Sequence, residues 1–489
     1  MRTHLLTFLL LLIGATSVMA APTDLDTSFD GDGIAQDYLD LGSSKTDLLA
    51  DIAIAPSTGS IYSVGKSEFV SSGGATFGVL FKRLANGSKD SGFSNGVNNI
   101  SRVYFPVERS GGSSGITGVD FDGSNTGAIA AVGFNDLNNG QRCGVAYKVL
   151  DNAVVKGALD GGFGTSGRFS LCSGIGAALT FSDVKVLNDG RWLITGNSTF
   201  ASGEKNGFLL RLTASGQLDT TFNAGGISGY PGQISFDIRP GKDDTALRIA
   251  ISPLGYYVAG NSVYAKSADP FLFGDDVDFW VARVNTNGTL DSTFNGNGKR
   301  IEYVDLSNSD RTDFLADLAV DSSGRVLLLG NINPAHILYN SSGNLDSARS
   351  YRSFVAVVRL TSNGLRDSSF ASGGRLLTVF GNITCDAGQD FCSYDEPAAL
   401  STTTNNDIWI AGRYVPGYPA TNLPRKLALG RVSNVGTLNL SQRILHGQNV
   451  EGVSLLRQAD GKLVVGAQLR TTSTETDLDF ALIRMFGAP

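Results

Sequence analysis

Aspartate recurs at one position of a unit that the chain repeats. Aligned at the start of the first strand of each unit, Asp51, Asp183 and Asp317 share a ring with Gly118, Arg248, Ala398 and Ser454. Carboxylates brought together in this way could hold a cation or a cationic group. A divalent cation in a central channel would then give a metal-assisted hydrolase or lyase, since a bound metal polarises a substrate and lowers the pKa of its water. The plainer expectation is that these side chains cap strand ends. Asp30-Gly31-Asp32-Gly33 has the look of a calcium loop but aligns with Asn295-Gly296-Asn297-Gly298 in another unit. A position filled by Asp, Asn or Gly is a turn that needs positive φ. The terminal Glu of a calcium loop is also missing. Apart from His4, histidine is confined to His336 and His446, and no nucleophile elbow, phosphate loop or redox Cys pair is present. Histidine is the most frequent general base, so the sequence points away from an enzyme. No catalytic residue and no cofactor is predicted beyond the channel cation.

The elements that position these residues come from three anchors. The first is a hairpin strand ending in Gly, as in Ile61–Gly65, Ile129–Gly133, Trp192–Gly196, Tyr257–Gly260, Val326–Gly330, Ile408–Gly412 and Leu463–Gly466. The second is an apolar run closed by a basic residue, with Arg83, Arg211, Arg283, Arg359, Arg431 and Arg484 in that place and Lys148 beside Val149 in the remaining copy. The third is Asp followed three residues on by Phe: Asp26/Phe29, Asp90/Phe93, Asp160/Phe163, Asp219/Phe222, Asp291/Phe294, Asp367/Phe370 and a decayed Asn439/Gln442. The Arg and the Asp flank one turn, so an Arg fork binding the carboxylate is expected, and the Phe is expected to wedge between neighbouring units. Each unit reads as four short strands bounded by Gly, Asn, Asp and Ser, with no sustained helical period outside the N-terminal segment.

The fold class expected is all-β, a seven-bladed β-propeller of four-stranded antiparallel blades. The Asp-Phe motif that should follow Asp479–Arg484 instead opens the chain at Leu25–Phe29, and an orphan strand near residues 33–39 follows it. That strand should complete the last blade, giving 3+1 closure and removing an open sheet edge. The strings Asp460–Gly466, Asp479–Arg484 and Ser215–Phe222 resemble the bacterial delta-60 repeat family of secreted, propeller-like proteins. The resemblance implies the repeat type and export, and no catalytic mechanism.

Residues 1–20 are read as a secretory signal peptide and 21–489 as a single propeller domain. Arg2 precedes the apolar run Leu5–Ile13, and Val18-Met19-Ala20 suits cleavage before Ala21. The run is too short to span a membrane, so the expected localisation is secreted or periplasmic, without membrane insertion. A formal charge of -7 disfavours nucleic-acid binding. Four Cys in an exported chain suggest disulfides. Cys143 begins a third strand and Cys172 ends the fourth strand beside it, so these two should pair; Cys385 and Cys392 share one loop and form the other pair.

Loop lengths locate a recognition surface. Connections between second and third strands vary widely and open on the same face as the links between units, and variable loops on a rigid scaffold are where recognition sits. That face should carry Tyr264, Phe271, Phe273 and Asp275, then His336, Tyr339 and Tyr351, then Tyr414 and Tyr418. Exposed aromatics suit carbohydrate or protein surfaces. The function read from the sequence is therefore an exported binding or interaction scaffold, monomeric, with a protein or glycan surface as partner. A channel hydrolase or lyase and a purely structural surface protein are the alternatives.

Overall fold

A computed structural model of the protein describes residues 23–39, 46–69, 75–96, 101–105, 107–122, 127–172, 178–225, 231–265, 276–304, 312–332, 353–380, 394–415, 425–444, 450–469 and 478–487. All of its regular elements are β-strands. Among the described residues there are five four-stranded antiparallel blades. Four of them follow chain order, over residues 47–105, 244–302, 313–378 and 394–444. The fifth joins strands Val450–Arg457, Leu463–Leu469 and Asp479–Met485 to the N-terminal strand Ile34–Asp37. In it Ile34 pairs with Ile483 and Asp37 with Phe480, so the two ends of the chain share one sheet.

The expected count of seven blades is corrected by the hydrogen bonding. The residues between 114 and 236 form one nine-stranded sheet instead of two separate blades. The two halves join where Ala178, at the start of one strand, pairs in parallel with Arg142, at the start of another. Covalent geometry explains the junction. Cys143 and Cys172 are register partners in the antiparallel pair Arg142–Asp151 and Arg168–Cys172. They are disulfide-bonded, with a Cα–Cα distance of 4.4 Å. The chain leaving Cys172 is thus pinned beside Arg142, and Ala178 begins the next strand within reach of it.

Each first strand carries a β-bulge at the ring position, for example between Leu49 and Asp51, Phe181 and Asp183, and Leu315 and Asp317. A bulge tilts the strand and re-aims one side chain. It also explains the glycine inside the adjacent strand, which runs on past it. A Cβ on Gly65, Gly133, Gly196, Gly260 or Gly412 would collide with a first-strand carbonyl oxygen, that of Leu48, Gly115, Thr180, Thr245 or Glu396 respectively. The repeated glycine is there for close backbone approach, with no demand on its φ.

Hydrophobic core lies between neighbouring sheets. One cluster unites Val64, Leu80 and Phe105 with Ile116, Val145 and Tyr147 across such a seam. Another unites Phe29, Ala35 and Phe480 with Leu49, Val79 and Phe81, so the sheet that closes the chain is packed against the first blade. Trp192, Trp280 and Trp409 are fully buried.

Candidate functional site

The repeated Arg, Asp and Phe build one device, an inter-sheet clamp. In four copies an Arg Nε lies 2.8–2.9 Å from its Asp: Arg211 with Asp219, Arg283 with Asp291, Arg359 with Asp367, and Arg484 with Asp26. A second guanidinium nitrogen donates to the hydroxyl two residues after the Asp, on Thr221, Thr293, Ser369 or Ser28. The third crosses the seam and donates to a turn carbonyl of the next sheet, on Thr286, Ser362, Asn434 or Ala85. The planar fork has enough donors to serve all three acceptors at once.

The Arg also covers the motif Phe, with 4.5 Å from the Arg359 carbon to the Phe370 ring centre. Phe29, Phe222, Phe294 and Phe370 are fully buried. In three copies the ring lies against the next turn's glycine, Gly87, Gly288 or Gly364, whose φ values of +88, +91 and +84° also require glycine. The structure moves one member of the motif. Arg83 is not the counterpart of these arginines; Lys82 is, since it pairs with Tyr62 as Arg211 pairs with Leu193. Arg83 instead grips Asp37 with two nitrogens, at 2.8 and 2.9 Å, and so ties the N-terminal strand to the first blade. Where the motif has decayed at Asn439, Arg431 turns to Asp407 at 2.8 Å.

The aspartate ring converges on a central cavity of about 380 Å³. Asp51, Asp183, Arg248, Asp317, Ala398 and Ser454 all line it, and Thr117 and Val119 line it beside Gly118. Each carboxylate is engaged by backbone amides. One oxygen accepts from the next residue's N–H, and the other from an N–H of the neighbouring unit: Asp51 from Val119, Asp183 from Ile249, Asp317 from Leu400. Ser454 Oγ donates to Asp51 at 3.0 Å and brings the C-terminal blade into the same network. The side chains thus cross seams, a role beyond capping their own strand ends.

Positive charge in the cavity comes from Lys185, 3.1 Å from Asp183, from Arg248, 3.5 Å from Asp317, and from Arg457 in its lining. Burial pushes the Asp51 carboxyl up to about 6, with Asp183 adding to the shift and Lys185 and Arg248 opposing it. Burial likewise raises Asp120 and Asp317. Burial works against charge on Lys185, yet Asp183, Asp120 and Asp51 outweigh it and raise its pKa. Among the described residues no group of three or more His, Cys, Asp or Glu is gathered to hold a metal ion. Carboxylates already bonded to amides and interleaved with Lys and Arg do not fit a divalent cation. Lys185 and Asp120 escaped the sequence reading, although each lies two residues beyond a ring position and so on the same face of its strand.

On the irregular face the structure describes two of the nine residues expected there. Phe271, Phe273, Asp275, His336, Tyr339, Tyr351 and Tyr418 lie outside the described residues, as do Cys385 and Cys392 and the N-terminal signal segment. Tyr414 is corrected: it is 7 % exposed and packs with Phe380, Ile410 and Ala428. Its strand, Ile408–Val415, extends further than expected and the side-chain alternation turns it into the core. Tyr264 is 58 % exposed. The guanidinium of Arg239 lies over its ring at 5.1 Å and over that of Tyr303 at 5.7 Å, and donates to Asp278 at 2.5 Å. Tyr303 is 51 % exposed. Neither Arg239 nor Tyr303 belongs to the repeated anchors, and no spacing in the sequence joins them.

One family of known proteins agrees with the fold. A β-propeller family described as a domain of unknown function, DUF5122, matches residues 187–222 and 257–294. No curated protein is similar to the chain by sequence. Among solved structures, an ulvan lyase of polysaccharide lyase family PL25 is similar with a TM-score of 0.49 and 9 % identity, over 92 % of this chain and 96 % of that one. The polysaccharide lyase Uly1 is similar with a TM-score of 0.45 and 10 % identity, over 93 % and 92 %. A neuraminidase-like protein of subtype N10 from A/little yellow-shouldered bat/Guatemala/060/2010 is similar with a TM-score of 0.41 and 9 % identity, over 94 % and 98 %. At such identity and TM-scores none of them bears on ligand or activity.

Proposed function

We propose that the protein is an exported β-propeller acting as a binding scaffold, which presents its irregular loop face to a protein or glycan surface. The observation that carries this reading is the stack of Arg239 with the exposed rings of Tyr264 and Tyr303. Aromatic rings covered by a half-buried guanidinium offer flat apolar area at small entropic cost, the property that makes Tyr and Arg frequent anchors of interfaces. The channel supports catalysis less well, because its carboxylates are spent on backbone amides. The Cys143–Cys172 disulfide suits an oxidising compartment, and among the described residues no helix is long and apolar enough to cross a membrane.

The test is a glycan and peptide array probed with the purified chain, followed by titration of the strongest hit. Replacing both tyrosines, Tyr264→Ala with Tyr303→Ala, should weaken that hit at least about tenfold, the loss typical of interface anchors. Unchanged affinity in a folded double variant refutes the assignment.

A further inference from the structure

The fork is missing at three seams, where Lys82, Lys148 and a redirected Arg431 stand in its place, and a cavity opens at the first of them. Between the first blade and the nine-stranded sheet the clamp position holds Lys82, eight residues before Asp90 just as Arg211 stands eight before Asp219. An ammonium is a compact point charge with three donors and lacks the planar reach of the fork. Lys82 Nζ contacts Asp90 Oδ2 and Asp151 Oδ2, both at 2.6 Å. Across the seam the turn is also longer. Twelve residues separate Lys148 from Asp160, where eight separate Arg211 from Asp219. The extra chain extends one strand to Asp151 and forms the added strand Lys156–Leu159. It places the Asp151 carboxylate 2.5 Å from Tyr62 Oη and brings Lys156 Nζ to 3.2 Å from Asp90.

The space left is about 570 Å³. Its charges cancel: Lys82 and Lys156 against Asp90 and Asp151. Burial and the Asp151 carboxylate hold the Tyr62 phenol protonated. Ser57, Thr58 and Ser60 supply hydroxyls. Asn86 and Asn152 each spend Oδ1 on their own turn, which leaves Nδ2 without a partner among the described residues. Phe121, stacked on Tyr62 at 6.1 Å and 17°, forms an apolar wall.

We infer that this seam is a binding site for a small, uncharged, polyhydroxylated ligand of the sugar class. A neutral cavity excludes ions, since an unpaired charge there would be desolvated without compensation. Neighbouring carboxylate, ammonium, amide and hydroxyl groups match the alternating donors and acceptors of vicinal diols. An aromatic wall suits the C–H face of a sugar ring. The site sits at the opposite end of the strands from Tyr264, beside the turn that joins Ala55 to Ser60, and so stands apart from the proposed loop-face surface.

The experiment titrates the whole mature chain with glucose, galactose, mannose, N-acetylglucosamine and glycerol in turn, read by ligand-observed NMR. At least one sugar should saturate in the millimolar range while glycerol does not. Lys82→Arg, which restores the fork, and Thr58→Trp, which blocks the mouth from an exposed turn, should each weaken that sugar at least tenfold. The Tyr264→Ala/Tyr303→Ala variant should bind it unchanged. Saturation by no sugar, or equal binding by wild type and a folded Thr58→Trp protein, overturns the inference. Loss in the tyrosine variant alone places the sugar on the loop face and overturns it as well.

Discussion

Arg359→Ala tests what the repeated clamp contributes. The wild-type side chain is 1 % exposed and reaches Asp367 Oδ2 at 2.9 Å, Ser369 Oγ at 3.2 Å and the carbonyl of Asn434 across the seam. Burial raises the pKa of Asp367, but the hydrogen bonds from Ser369 and the charge of Arg359 outweigh it and the net shift is downward. Removing the guanidinium leaves that carboxylate to Ser369 and to Arg325 at 3.9 Å, beside a cavity, and removing one partner of a buried pair costs about 3–5 kcal/mol. With an unfolding entropy of about 2.1 cal/mol/K per residue, a chain of this size should lose roughly 3–5 °C in Tm. Arg359→Lys keeps the charge and forfeits the fork, so its cost should be about 1.5–3 kcal/mol, the worth of one charge-assisted hydrogen bond. Differential scanning calorimetry at neutral pH measures both variants. A double-mutant cycle with Asp367→Asn separates pair from packing: the double variant should recover part of the loss, because no carboxylate is left stranded. Equal Tm for Arg359→Ala and wild type, or a double variant that loses the plain sum of both single effects, refutes the clamp.

Two carboxyls should pull the pH profile in opposite directions. Asp51 has a folded pKa of about 6, above its ordinary 3.8, so the native state holds that proton more tightly and Asp51 adds stability as pH falls from 7 through 6 towards 4. Asp51→Asn should flatten that stretch of a Tm-against-pH curve, and an unaltered curve rejects the shift. Asp26 is held near 2, burial being outweighed by Ser28, Lys462 and Arg484, so its contribution is complete above about pH 4 and disappears as pH falls through 2. Asp26→Asn should therefore lower Tm at pH 7 and leave it little changed at pH 2. Opening the Cys143–Cys172 bond by a double Ser substitution releases a loop with a separation of 29 residues, worth about 3.5 kcal/mol by chain entropy; a smaller effect than 1 kcal/mol in calorimetry would contradict that figure. Deleting residues 23–37 removes the strand paired with Asp479–Met485 and the grip of Arg83 on Asp37. The exposed edge should make the truncated chain oligomerise in size-exclusion chromatography, and a monodisperse monomer would count against closure as a source of stability.

What the sequence made legible follows from repetition. The hairpin glycine, the Arg–Asp pair and the buried Phe recur because every seam meets the same steric problem, so a few anchors located most strands and the shared terminal sheet. The blade count failed because it depended on hydrogen bonds between units. Nothing in the residues near Arg142 and Ala178 announces a parallel bridge. The choice of Arg83 over Lys82 failed for another reason. Adjacent basic residues look interchangeable in a motif, yet alternation sends them to opposite faces of the strand. The spacing of eight to the motif Asp would have selected Lys82. Tyr414 was misplaced by the same alternation, once its strand proved to run on to Val415.

The same logic separates scaffold from site. A residue that recurs from unit to unit answers a shared demand, and the clamp in four units and the bulge aspartates in three do so by tying one sheet to the next through backbone amides and carbonyls. Such residues are poor candidates for chemistry, because their lone pairs and protons are already committed. Selective recognition needs groups that the repeat does not consume. The chain supplies them where it departs from its own rule: at Lys82 and the longer turn after Lys148, and at Arg239 with Tyr264 and Tyr303. Restoring the rule should therefore trade function for stability. Lys82→Arg is expected to raise Tm while closing the seam cavity, since it gives the first blade the fork that Arg211, Arg283, Arg359 and Arg484 form at other seams. A Lys82→Arg protein less stable than wild type would mean that Asp151 and the longer turn have made lysine the better fit, and that the departure serves packing instead of a ligand.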